Sequence, residues 1–187
     1  MRKILTAAAM AMAITTGHAH AVIIDGAITK QIGNGGFVKL DTETPFSVGA
    51  DTFDTDNLYA FDEDQNIMLE DAIRVDIGGE DGQIAAETVV ASHYVFFDSL
   101  DGVQVGYVDF DAKILGVAAF QDTMAATDFL ANTGVNYISL ELRGLEPGDY
   151  VWIDEDIPER LWVYWAGSSP GDYIRVFTEK SAGALMM

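Results

Sequence analysis

Apolar and polar positions alternate with a period of two in several short runs of this chain. The clearest block covers residues 88–120 (TVVASHYVFFDSLDGVQVGYVDFDAKILGVAAF). Val89, Val90, Val95, Phe96 and Phe97 are β-branched or aromatic, the types that fit a pleated, half-buried surface. Residues 98–102 (DSLDG) supply turn chemistry, with Gly102 available for a positive φ. Val103, Val105 and Tyr107 then point one way, and Gln104, Gly106 and Val108 the other. Residues 109–113 turn the chain again. The apolar run 114–120 reads as a strand buried on both faces or a short buried helix, and its length and flanking turns favour the strand.

The same reading extends along the chain. Residues 22–28 and 37–40 predict strands on either side of a Gly-rich turn (QIGNGG, 31–36). That turn lacks the GK[ST] ending of a phosphate loop. Residues 57–69 predict a hairpin whose arms are Leu58, Tyr59, Phe61 and Ile67, Met68, Leu69, with residues 62–66 as its turn. Residues 72–77, 135–142, 150–153, 161–166 and 173–178 add further strands. Residues 122–131 (DTMAATDFLA) give the best helix, capped by Asp122 or Thr123. In the run 161–166, Leu161, Val163 and Trp165 share one face and Trp162 and Tyr164 the other. Aromatics on both faces suit an internal strand, or one that covers a binding surface. Short strands with turn signals every 8–12 residues predict an all-β fold, an antiparallel β-sandwich of jelly-roll-like type with one short helix.

Composition narrows the setting. Arg2 and Lys3, an apolar run of small residues over 4–16 and the A-x-A site Ala19-His20-Ala21 read as an export signal over residues 1–21. Residues 22–180 are then a single sandwich domain and 181–187 a short tail. After signal removal no run is long enough to span a bilayer. The chain holds 30 acidic and 10 basic residues; with Arg2 and Lys3 gone, 30 face 8, a formal charge of −22. Such a balance excludes a nucleic-acid partner, which needs a basic footprint. There is no cysteine, so disulfides, thiol catalysis and thiolate metal sites are excluded.

Six segments carry a resemblance: 57–66 (NLYAFDEDQN), 92–98 (SHYVFFD), 113–116 (KILG), 126–130 (ATDFL), 142–146 (LRGLE) and 169–175 (SPGDYIR). In order and spacing they resemble exported bacterial proteins of unknown function related to the PEP-CTERM proteins, which carry a sorting tail handled by an exosortase. The likeness runs over residues 57–178. Residues 178–187 read TEKSAGALMM, without the Pro-Glu-Pro motif, apolar helix and basic tail of that signal. Exosortase processing and envelope anchoring therefore do not carry over. The resemblance implies an extracellular or surface-matrix role and no catalytic residues.

Candidate chemistry lies in four places. Gly167-Ser-Ser-Pro-Gly171 has the G-x-S-x-G form of a nucleophile elbow, but Pro170 has no N–H to give an oxyanion, so it reads as a turn. His93 is the one histidine left after signal removal, and its alternating neighbours make it a sheet residue rather than a catalytic base. Asp54, Asp56, Asp62, Asp64 and Asn66 are the candidate metal ligands, because closely spaced oxygens on turns suit Ca²⁺. An EF-hand is excluded, since Ile67 and Ile73 stand where it needs Gly and a bidentate Glu; the plain alternative is a solvated acidic turn. Tyr150, Trp152, Trp162, Tyr164, Trp165 and Tyr173 either fill the core or, exposed together, stack on sugar rings. The expectation is a secreted, non-enzymatic extracellular or surface-matrix protein with polysaccharide or calcium as ligand. The alternative is a carbohydrate-active hydrolase of sandwich type using a carboxylate pair.

Overall fold

The computed structural model of the chain describes residues 21–99, 101–168 and 171–180. In chain order the strands are β1 (Ile23–Gln31), β2 (Phe37–Lys39), β3 (Ser47–Val48), β4 (Leu58–Asp62), β5 (Ile67–Met68), β6 (Ile73–Arg74), β7 (Ile77–Gly78) and β8 (Gln83–Ile84). They continue as β9 (Val89–Phe97), β10 (Asp101–Phe110), β11 (Ile114–Ala118), β12 (Asn136–Tyr137), β13 (Tyr150–Ile153), β14 (Arg160–Ser168) and β15 (Asp172–Glu179). One short helix, α1 (Gln121–Ala126), follows β11. No helix among the described residues is long and apolar enough to cross a membrane.

Most of the strands form a β-sandwich of two unequal sheets, while β3 pairs with β12 and β6 with β8 in two small separate sheets. The small sheet is antiparallel, in the order β1-β10-β14-β13. The large sheet runs β2-β4-β9-β15-β11-β7, with β5 also on β9. Successive long strands alternate between sheets: β9 belongs to the large one, β10 to the small, β11 to the large again. The core between the sheets takes Leu58, Ala60, Val95, Phe97, Ile174 and Val176 from one side, and Val108, Phe110, Leu161, Val163 and Trp165 from the other. Phe97 stacks on Trp165 with ring centres 6.4 Å apart. On β10 the inward positions are Gln104, Gly106, Val108 and Phe110. Gly106 is required there, because a Cβ would come within 2.6 Å of the Ala27 carbonyl on the neighbouring strand.

The far face of the large sheet is also covered. Tyr59, Phe61, Tyr94, Phe96, Tyr173 and Phe177 point away from the small sheet and lie under Val48, Met124, Leu130 and Val135. Tyr59, Phe96 and Tyr173 stack in a row across β4, β9 and β15, at 5.0 and 5.7 Å. Strands buried on both faces read as near-continuous apolar runs, as β9 and β15 do.

Two local expectations are corrected. The segment 57–69 is not a hairpin: β4 and β5 both pair with β9, as one interrupted strand. Residues 63–66 leave the line between them, and the ladder is resumed by Glu63 N–H to the Ser92 carbonyl and Ser92 N–H to the Asp64 carbonyl. The excursion is set by Glu63, whose carboxylate is drawn into the interior by a buried cation. Of the two capping candidates Thr123 acts and Asp122 does not: the Thr123 hydroxyl accepts the Phe120 N–H at 3.3 Å. Asp76, from a distant segment, accepts the Ala119 and Phe120 N–H groups and the Thr123 hydroxyl.

That cation is Arg175, which shares the covered face of β15 with Tyr173 and Phe177 and is wholly buried. Its Nε donates to Glu63 Oε2 at 2.7 Å and its Nη2 to Glu63 Oε1 at 3.1 Å. Nη1 donates to the Met124 carbonyl, the Thr127 hydroxyl and Asp128 Oδ1. Tyr137 and Ser92 donate their hydroxyls to Glu63, each at 2.6 Å. Arg143 grips Asp128 with two bonds of 2.7 Å. Burial is the largest single influence and lowers the Arg175 pKa, but the charge and hydrogen bonds of Glu63, together with the neighbouring Tyr94 and Tyr137, raise it above its ordinary value. Two cations and two anions balance, and their bonds tie the covering layer to the sheet. Removing one partner of such a pair strands a charge, at a cost of about 3–5 kcal/mol. Arg175→Ala is therefore expected to lower the unfolding free energy in urea by about that amount, and Glu63→Gln to weaken it too. The double replacement Arg175→Met with Glu63→Leu should cost less than the two single effects added.

Candidate functional site

The outward face of the small sheet carries the exposed aromatic surface. Its strands alternate, so packing Val108, Leu161, Val163 and Val151 inward sends Tyr107, Trp162, Tyr164, Tyr150 and Trp152 outward. Register then sets them in rows. Tyr107, Trp162 and Trp152 are cross-strand partners on β10, β14 and β13. Val105, Tyr164 and Tyr150 form the next row. Trp152 and Trp162 stack at 5.9 Å with ring planes 8° apart; Tyr107 meets Trp162 edge-on at 5.3 Å, and Tyr150 lies 6.0 Å from Tyr164. Tyr150 is 62% exposed and Trp152 41%, in a sheet position where nothing among the described residues covers them. A contiguous exposed aromatic patch of this kind is a feature that marks binding surfaces.

Polar groups fix the patch. Asp154, in the β13–β14 turn, accepts the Trp162 indole N–H at 2.7 Å and the Asp156 and Ile157 N–H groups. Those donors, the indole first, hold the Asp154 carboxyl below the usual carboxylate range. Arg160 makes two bonds of 2.7 Å to Asp109 and lays its guanidinium 3.9 Å from the Tyr107 ring centre.

The aromatic residues singled out in the sequence thus divide. Trp165 and Tyr173 are core; Tyr150, Trp152, Trp162 and Tyr164 form the surface. Tyr107 was not among them, because the other aromatic of its strand, Phe110, points inward, and the cross-strand register brings Tyr107 to Trp162.

The acidic residues do not gather. Among the described residues no group of three or more His, Asp or Glu side chains is placed to hold a metal. Asp56 accepts the Asn34 N–H and the Ser99 hydroxyl, and so secures the Gly-rich turn. Asp62 is held by Lys39 at 2.7 Å, His93 at 2.8 Å and the Ile23 N–H at 3.0 Å. Asp54 and Asn66 take left-handed backbone in their turns. Burial, and then the charge of Glu63, raises the Asp64 carboxyl. His93 sits between the sheets, fully buried, with Nδ1 on Asp62 and Nε2 3.0 Å from the Thr178 hydroxyl. The chain Asp62–His93–Thr178 has the order of a triad but no access from outside; Ser92 lies on the opposite face, bonded to Glu63. Of the G-x-S-x-G turn, Ser169 and Pro170 lie outside the described residues.

One carboxyl pair does exist. Asp172, at the buried start of β15, is hydrogen-bonded to Asp149, which accepts the Ala166 N–H at 2.7 Å and the Glu146 N–H at 3.1 Å. Burial first, then the negative charge of Asp149, pushes the Asp172 carboxyl up to about 9. A glycosidase pair stands about 5–10 Å apart around a substrate. Here the two carboxyls touch and one is inaccessible, so the pair pins the turn before β13 to the end of β15.

Compared with known proteins, the chain matches no family model, no curated protein and no solved structure.

The Asp172 proton has a measurable consequence. The folded chain keeps it up to a pH of about 9, whereas the unfolded chain releases it near the ordinary value of 3.8. The folded state binds more protons across that window, so stability falls as pH rises from about 4 to about 9. Asp62 and Asp128 are shifted down and act in the opposite sense, losing their contribution only as pH falls below the ordinary carboxylate range. Urea unfolding at a series of pH values should show the neutral-range slope in the wild type and its loss in Asp172→Asn.

Proposed function

We propose that this chain is an exported extracellular or surface-matrix protein that binds polysaccharide on the outward aromatic face of its small sheet. The observation that carries the reading is the two-row arrangement of Tyr107, Trp162, Trp152, Tyr164 and Tyr150 on the side away from the core. Flat aromatic rings left in water cost free energy unless a ligand covers them, and the apolar C–H faces of sugar rings suit them. A row across three strands offers an extended ligand several adjacent contacts, each weak alone and additive along a polymer. The apparent export signal and the resemblance of residues 57–178 to exosortase-related exported proteins support an extracellular setting, where polysaccharide is the abundant polymer.

The test is affinity electrophoresis of the folded domain through gels containing individual polysaccharides, followed by tryptophan-fluorescence titration with the retarding one. Trp152→Ala and Tyr164→Ala are expected to weaken binding about tenfold or more each. Both sites are exposed, so urea stability should change by no more than about 1 kcal/mol. Retardation that survives both substitutions would move the ligand off this face, and absence of retardation by neutral, cationic and anionic polymers alike would remove the reading.

A further inference from the structure

We infer that the ligand of this aromatic face is a glycan bearing free amino groups, a deacetylated amino-sugar polymer rather than a neutral or acidic one. The inference rests on the polysaccharide reading above and adds the charge of the ligand to it.

The face already shows how it holds a cation. Arg160 lies with its guanidinium 3.9 Å from the Tyr107 ring centre and 5.8 Å from that of Trp162, while the Asp109 carboxylate takes two of its N–H groups. A ring face and a carboxylate together make a cation site, because the π quadrupole and the anion both attract positive charge. The same pair of groups recurs one strand further out. The Trp152–Trp162 stack has the Asp154 carboxylate fastened to its rim through the Trp162 indole N–H. Asp154 accepts only N–H groups of neutral partners and forms no ion pair among the described residues. Anchored and kept ionised, it stands beside the exposed ring of Trp152 and the half-buried ring of Trp162, and the cation whose charge reaches it, Arg160, is already paired with Asp109.

The turn end of this face has the same sign, while the exposed Lys30, cross-strand partner of Val105, stands at the β1 end of the second row. Glu155, Asp156 and Glu159 lie in the same turn, and Asp25 is the cross-strand neighbour of Asp109. Against these the end of the sheet offers Arg160, already neutralised by Asp109. With 30 acidic and 10 basic residues in the chain, the field repels an acidic polymer at long range and draws a basic one. An ammonium group on each sugar adds cation–π and ion-pair attraction to stacking, and a neutral sugar has stacking alone.

The experiment is isothermal titration of the folded domain with three oligosaccharides of equal length: a glucosamine oligomer, its N-acetylated counterpart and an oligogalacturonate. It is run at a pH of about 6, so that the amino groups are charged. The glucosamine oligomer should bind about tenfold or more tighter than the acetylated one, and lose most of that advantage at about 0.5 M salt. Glu155→Gln with Asp156→Asn should reduce the advantage while leaving any binding of the acetylated oligomer unchanged, and Asp154→Asn, which also alters the acceptor of the Trp162 indole N–H, should reduce it further. Equal binding of the acetylated and deacetylated oligomers, or tighter binding of the galacturonate, overturns this inference and leaves the polysaccharide reading standing. Failure of all three oligomers to bind overturns this inference, and the gel retardation experiment then decides the polysaccharide reading separately.

Discussion

The buried pairing of Arg175 with Glu63 is the constraint on which the arrangement of this sandwich depends. A guanidinium with no exposure must find a carboxylate, and the nearest one in space is 112 residues away in sequence. To deliver Glu63, the chain breaks the strand formed by β4 and β5 and folds residues 63–66 under the covering layer. To satisfy the remaining N–H groups, it brings the end of α1 over the sheet, so that the Met124 carbonyl and Thr127 hydroxyl meet Nη1. The polar cluster thereby fixes which loops cover the large sheet and at what height. Apolar packing of Met124, Leu130 and Val135 on Phe96 and Phe177 supplies the driving force, but those contacts would tolerate several placements.

Because that layer covers the large sheet, among the described residues it is the small sheet that turns a broad face to water. The division of labour follows. The large sheet is buried on both sides and carries the core and the ion network. The small sheet packs one side and is left with Tyr107, Trp162, Tyr164, Tyr150 and Trp152 on the other. Asp154 and Arg160 hold those rings in place without covering them. The touching carboxyls of Asp149 and Asp172 fix the turn that leads into β13, the strand that carries Tyr150 and Trp152.

Much of this was legible in the amino-acid order. Alternation identified β9, β10, β14 and β15 and placed Trp162 and Tyr164 opposite Leu161, Val163 and Trp165, because side-chain direction in a strand is a local property. Which face met water was not legible, since it depends on which sheet each strand joins. The segment 57–69 looked like a hairpin because two apolar arms flank an acidic turn. The competing partner, β9, lies some way along the chain and wins both arms. Asp56 and Asp62 looked like cation ligands from their spacing, yet each is held by N–H, hydroxyl or side-chain cation partners brought by other segments. An arginine set between aromatics on one face of a predicted strand was the available sign of a buried charge network. Glu63 itself was hidden among neighbouring acids.

The position of β15 has a consequence for the order in which the chain can fold. Residues 172–179 lie in the middle of the large sheet, between β9 and β11, and supply Ile174 and Val176 to one core and Arg175 and Phe177 to the other. Until they have been synthesised, neither core can close, and β9 and β11 have no strand between them. A growing chain is therefore held open until nearly 180 residues exist. Its many distant pairings also make collapse to the native arrangement slow.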